Sequence, residues 1–330
     1  MVFPGKCGLC GRPAPGTASR AFKEHFEPSD RRIAMSTRRP RLLPAALVLL
    51  ALAVTACARI TGGRGGGGGI EHPTGADELI LQVHSGGGFV PVAWHLREFP
   101  LFSLYGDGRL ITEGPQIDIY PPPALPSLVE RRVTEEGIQT ILRAAREAGL
   151  HGADQRYEDM TVSDLPTTTF TVATGGQIHR TSVYGLVDIP GEVPVADREA
   201  RQRLFRFQSQ LLDLESWLPE GSVSSDRQYE YGRLQVFVVP ASEAPGIGGG
   251  GDQLEPSRKA WPLQEPLSSF GEPMPNTPDI RCGTVEGADL NEVLAAAGQA
   301  NVDTLWRSGR DVSLIAFRPL LPGEPPCQQQ

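Results

Sequence analysis

Cysteine, histidine and clustered carboxylates are the side chains through which this 330-residue chain could do chemistry, and their spacing limits what they can do. Cys7-Gly8-Leu9-Cys10 has the spacing of half a zinc ribbon, but a ribbon needs a second such pair about 15–20 residues on, and none exists. His72, His84, His95, His151 and His179 form no i, i+4 pair and no HExxH, so a zinc site would have to be assembled from distant residues. Asp154, Glu158 and Asp159 offer the oxygen ligands that calcium takes, without the spacing of an EF loop. Gly63 to Gly68 and Gly246 to Gly251 match GxGxxG, yet no helix opens after either, so both read as linkers. His84-Ser85-Gly86-Gly87-Gly88 could aim backbone amides at a developing oxyanion, but no GxSxG nucleophile accompanies it. No catalytic residue, metal or cofactor is assigned on these grounds.

Cys57 stands apart because of what precedes it. Arg38, Arg39 and Arg41 lead into an apolar run from Leu42 to Ala56, too short to span ~30 Å of hydrocarbon as a helix. A basic start, an apolar stretch and small residues at the end describe an export signal, so the chain beyond it is expected to be extracytoplasmic. Val54-Thr55-Ala56-Cys57 resembles the lipobox of bacterial lipoproteins. That resemblance implies cleavage before Cys57 and fatty-acyl chains such as palmitate on and around its sulfur, with lipid anchoring in the cell membrane. An ordinary secretory signal and an uncleaved membrane helix are the alternatives; Pro44 and the short run disfavour the second. Met35-Ser36-Thr37-Arg38-Arg39 is a conventional beginning for such a signal, and residues 1–34 are expected to be a misplaced extension.

Residues 57–330 keep 22 of the chain's 31 Lys and Arg but 36 of its 39 Asp and Glu, a formal charge near −14. Such a surface repels phosphate backbones, which excludes nucleic acid as an expected partner. It also repels anionic headgroups, which leaves the anchoring to the acyl chains at Cys57. With Cys57 acylated, Cys282 and Cys327 are the pair that remains in an oxidising compartment, and a disulfide between them is expected; two buried free thiols are the alternative. Closing about 45 residues would contribute roughly 4 kcal/mol on the loop-entropy account.

Several elements must position these residues. Residues 57–76 are a glycine-rich tether with an average reach of about 20 Å. Leu79 to Val83 reads as a first strand. Phe102 to Tyr105 and Arg109 to Thr112 flank Gly106-Asp107-Gly108, whose positive φ angles suit a tight hairpin. Thr134, followed by Glu135 and Glu136, should cap a helix that buries Ile138, Ile141, Leu142 and Ala145 and ends at Gly149. Thr167 to Tyr184 reads as a second hairpin around Thr174-Gly175-Gly176, with Phe170, Val172, Ile178 and Val183 alternating. Asp197 opens a further helix with Leu204, Gln208, Leu211, Leu212 and Leu218 on one side, Phe207 and Leu214 beside them, and Pro219 as its stop.

Hairpin, helix, hairpin, helix predicts an α+β fold over residues 77–220, an antiparallel sheet with helices on one face. Residues 240–279 read as a Pro/Gly-rich linker or loop in which Trp261 and Phe270 could pack onto a neighbour. Residues 280–327, with strand 233–239, form either a second, smaller α+β part or extra strands on the first sheet. The body, residues 77–327, is similar to uncharacterised exported lipoproteins that share an aromatic strand, a Gly-Asp-Gly turn and a helix ending in Ala148-Gly149-Leu150. That similarity implies a fold and carries no activity. The reading that results is a lipid-anchored protein whose ectodomain binds an envelope protein or ligand rather than catalysing a reaction. Its alternative is an envelope hydrolase with a site assembled from distant residues, marked by His84 or His179 meeting a serine or carboxylate. Trp94 and His95, with Tyr229 and Tyr231, are the aromatic positions that could face a partner; edge or core packing is the other reading of all four.

Overall fold

The computed structural model describes residues 68–158, 163–188, 197–243 and 256–327. Val54, Thr55, Ala56 and Cys57, the Cys7–Cys10 pair, Met35, residues 57–67 of the tether, Asp159 and Gly246 to Gly251 lie outside them. The fold is α+β and sheet-dominated, with two mostly antiparallel sheets of 8 and 6 strands.

The first sheet grows from local turns. β1 (Leu79–Gly86) pairs with β2 (Phe102–Tyr105), which turns through Gly106-Asp107-Gly108 into β3 (Arg109–Glu113). Gly108 adopts φ +82°, and a Cβ there would lie 2.6 Å from the Val133 carbonyl, so only glycine fits. β4 (Leu128–Arg132), β5 (Gln155–Tyr157), the hairpin β6 (Thr167–Thr174) and β7 (Gln177–Tyr184), and β8 (Arg227–Gln228) complete it in the order β5-β7-β6-β1-β2-β3-β4-β8. The β5–β7 pairing is parallel.

Two helices cover one face, as the element order requires. In α2 (Glu135–Glu147) the Thr134 hydroxyl accepts the Gly137 N–H at 3.3 Å, and Ile138, Ile141, Leu142 and Ala145 are buried. In α3 (Arg198–Leu212) Leu204, Phe207 and Leu211 join the same core, but the helix breaks at Asp213 rather than at Pro219. Leu212, the last residue of the helix, lies beside the stripe of Leu204, Phe207 and Leu211 and is 59% exposed, against its expected place on the buried side. Ile178 is likewise 55% exposed, because it lies next to the β6–β7 turn, beyond the two covering helices.

Residues 233–327 build a separate second sheet rather than extra strands on the first. β9 (Arg233–Pro240), β10 (Arg258–Ala260), β11 (Glu272–Met274), β12 (Thr277–Glu286), β13 (Leu305–Ser308) and β14 (Asp311–Pro319) run in the order β10-β13-β14-β9-β12-β11. Two of these strands come from within 240–279; both are short edges, where Pro273 costs no ladder bond in the sheet interior. Trp261 and Phe270 do pack inward. Trp261, Trp306, Phe270 and Phe317 meet edge to face at 5.4–6.1 Å beneath α4 (Gly287–Ala297). β9 is buried on both faces, which is why Leu234 to Val239 is apolar throughout except for the buried Gln235.

The sheets meet along a seam of Phe99, Tyr105, Ile111, Leu128, Tyr229 and Leu321. Arg318 and Glu324 form a bidentate ion pair there, both N–O distances 2.8 Å, with side chains 13% and 19% exposed. The C-terminal strap continues to the expected Cys282–Cys327 disulfide, whose Cα atoms are 5.6 Å apart. Replacing Glu324 by alanine leaves the Arg318 guanidinium in the seam without its carboxylate and should cost about 3 kcal/mol of stability, measured by urea unfolding with the disulfide intact.

Candidate functional site

The glycine segment singled out in the sequence lies where β1 leaves the first sheet. Gly87 and Gly88 have φ of +89° and +91°, so the chain reverses there at little steric cost. It then runs through Phe89, Val90 and Pro91 into a single helical turn, α1 (Val92–His95). Glu98 closes the loop. Its Oε1 accepts the Gly87 N–H at 3.0 Å and lies 2.8 Å from His95 Nδ1. A Cβ on Gly86 would come within 2.1 Å of Glu98 Oε2 and 2.7 Å of the His84 ring, so a residue without a side chain is needed for the carboxylate to close in.

The loop has two sides with opposite surroundings. Ala93 is buried against Phe237, Val239, Leu314 and Ala316 of the second sheet, with Val92 and Leu96 packed beside it. On the outer side, Phe89 is 90%, Val90 44% and Trp94 43% exposed. Arg97 stacks on the Trp94 ring at 5.2 Å and donates to the Ala93 carbonyl at 3.2 Å. Burial brings its guanidinium down to about 10, opposed by Asp303. A second exposed apolar segment, Ile117, Ile119 and Tyr120, follows β3. The Val302 N–H donates to the Pro122 carbonyl at 3.0 Å, which ties the chain just after this segment to the turn before β13.

The four aromatic positions therefore separate. Trp94 and His95 are at the surface or partly so, whereas Tyr229 is buried in the seam and Tyr231 packs beside it, its hydroxyl donating to the Pro126 carbonyl. Burial and the neighbouring Tyr229 push the Tyr231 phenol up to about 12, as befits a packing residue.

The histidines do not assemble a nucleophile. Among the described residues His84 has no hydrogen bond to a serine or carboxylate, and His179 Nδ1 meets the Gly152 carbonyl at 2.7 Å. Ser85 Oγ accepts from Thr168 Oγ1 at 3.3 Å. His95–Glu98 is the dyad the sequence analysis missed, since the link is made by a turn only four residues long; His72 meets Glu135 at 3.2 Å. Asp154 Oδ1 accepts the Arg180 N–H, which engages one of the acidic cluster in the sheet edge. Among the described residues no group of three or more His, Cys, Asp or Glu is placed to hold a metal ion.

No protein family, curated protein or solved structure matches the chain.

Burial lowers the pKa of His84 below the ordinary 6.5, against the pull of Glu98, and Arg318 adds to the lowering. The neutral ring thus stabilises the fold fully above about pH 6.5 and that contribution is lost as pH falls through the depressed pKa. NMR titration should place His84 below 6.5, and Glu98→Gln should move it lower still.

Proposed function

We propose that the chain is a lipid-anchored extracytoplasmic protein, held on the cell membrane by acyl chains at Cys57, whose ectodomain binds an envelope protein or ligand through the apolar tip Phe89–Trp94. The observation that carries the binding half is the exposure of Phe89, Val90 and Trp94 on a loop braced from within by Glu98. Phe89 would gain roughly 1.5–3 kcal/mol on full burial, Val90 and Trp94 less because they are already more than half covered, and a braced loop loses little entropy when it docks. Isolated exposed apolar residues are ordinary, but here three of them follow one another on one loop.

Support for the anchoring half is in the sequence alone: the basic start, the apolar run and Val54-Thr55-Ala56-Cys57, followed by a glycine-rich tether. The excess of acid beyond residue 57 argues against nucleic acid as the partner. Catalysis has less support, because the His95–Glu98 dyad has no serine hydroxyl bonded to it among the described residues.

Mass spectrometry of membrane-extracted protein should find a lipid-modified peptide beginning at Cys57, absent from Cys57→Ala; residues 1–56 still attached and unmodified would refute the anchor. For the tip, a photo-crosslinking amino acid at Phe89 or Trp94 should yield discrete adducts in intact cells, while the same probe at the exposed Leu212 yields none. Equal labelling from all three positions would sink the binding assignment.

A further inference from the structure

We propose that the groove between α2 and α3 binds a ligand carrying two or more oxyanion groups, phosphate, sulfate or carboxylate, on a compact scaffold. The groove encloses about 470 Å³ and is lined by Thr140, Arg143 and Glu147 from α2, Arg203 and Arg206 from α3, and Trp217. That size is in the range of small-molecule sites, roughly 300–1,000 Å³.

Three guanidiniums reach this groove from two helices. Arg203 and Arg206 are three residues apart on α3 and so share a face. Among the described residues none of the three forms an ion pair. Arg143 Nη2 donates to Thr140 Oγ1 at 2.8 Å and Arg206 Nε to the Gln202 carbonyl at 3.3 Å, which orients both and neutralises neither. Elsewhere on the surface arginines do find acids: Arg131 meets Glu215, Arg132 meets Asp107, and Arg227 meets Glu130. A protein with a formal charge near −14 beyond residue 57 has carboxylates to spare, yet this lining holds three cations against one anion, Glu147.

The chemistry follows from the side chains. Arginine forks match phosphate, sulfate and carboxylate with paired N–H donors, and cations on facing helices favour a ligand with a charge at each end. Glu147 lies one turn from Arg143 and weakens the field for a single anion, which favours multivalent ligands. Trp217 supplies an apolar wall, held by its indole N–H donating to the Gln210 carbonyl at 2.7 Å. Arg206 also borders a cavity of about 280 Å³ lined by Asp188, Gln202 and Phe205, whose carboxylate disfavours a further oxyanion and confines the anionic groups to the groove. None of these residues belongs to the glycine loop, so the groove can bind its ligand whatever the apolar tip does.

Isothermal titration calorimetry of the full chain in low-salt, phosphate-free buffer tests it, with inorganic pyrophosphate, a sulfated disaccharide and citrate as separate probes. At least one should bind at a single site, with an affinity that falls as salt is added. The double variant Arg203→Gln, Arg206→Gln should weaken that binding about tenfold or more, and Arg143→Gln should weaken it independently. These side chains are exposed, so circular dichroism should show the fold unchanged. The probe that binds identifies the oxyanion. Absence of binding by all three, or the same affinity in wild type and the double variant, overturns the proposal.

Discussion

The ion pair between Arg318 and Glu324 is the constraint on which the rest of the described structure depends. Two charges in a seam that is mostly out of water are tolerable only with each other and with the remaining hydrogen-bonding positions filled. Here they are filled. Glu324 Oε2 also accepts the Leu321 N–H at 2.9 Å, Arg233 donates to the Glu324 carbonyl at 3.0 Å, and Arg318 Nε donates to the Glu98 carbonyl at 3.1 Å. One pair thus ties the end of β14, the start of β9, the C-terminal strap and the glycine loop together. The strap also passes under the first sheet's entry, where Gly323 adopts φ +74° and a Cβ would lie 2.5 Å from the Asp77 carbonyl.

Glu98 carries this constraint out to the surface. Its main chain is held by Arg318 in the seam, and its side chain holds Gly87 and His95 in the loop. The apolar tip is therefore presented by a frame anchored in both sheets. A free glycine loop would hide Phe89 and Trp94 against whatever apolar surface lay nearby. A braced one leaves them in water, a state with an evident use only if something else covers them.

Much of the frame was legible in the sequence because its causes are local. Gly106-Asp107-Gly108 and Gly175-Gly176 marked two hairpins by their backbone freedom, and Thr134 with Glu135 and Glu136 marked a helix start. Cys282 and Cys327 were the pair remaining after Cys57. What escaped was non-local. α1 is too short to show a period, and β10 and β11 acquire strand geometry from partners 30 or more residues away or from one flanking turn within a Pro-rich stretch. Leu212, the last residue of α3, kept the helical period yet lies on the solvent side of the helix, which sequence spacing alone did not reveal. Trp94 and Tyr229 looked alike in sequence because the seam that buries one and not the other exists only once the sheets meet. The convergence of Arg143 with Arg203 and Arg206 had no signature either, since α2 and α3 are brought together by the sheet beneath them.

The central claim, a surface loop held rigid from the inter-sheet seam, is tested most directly by amide hydrogen exchange across Gly86–Glu98 in the wild type and Glu98→Ala. The account predicts strong protection of the Gly87 N–H in the wild type, fast exchange at Phe89 and Val90, and loss of the Gly87 protection in the variant with the sheets unchanged. Uniformly fast exchange through the loop of the wild type would contradict it, because the tip would then be a mobile connection and its exposure would carry no functional meaning.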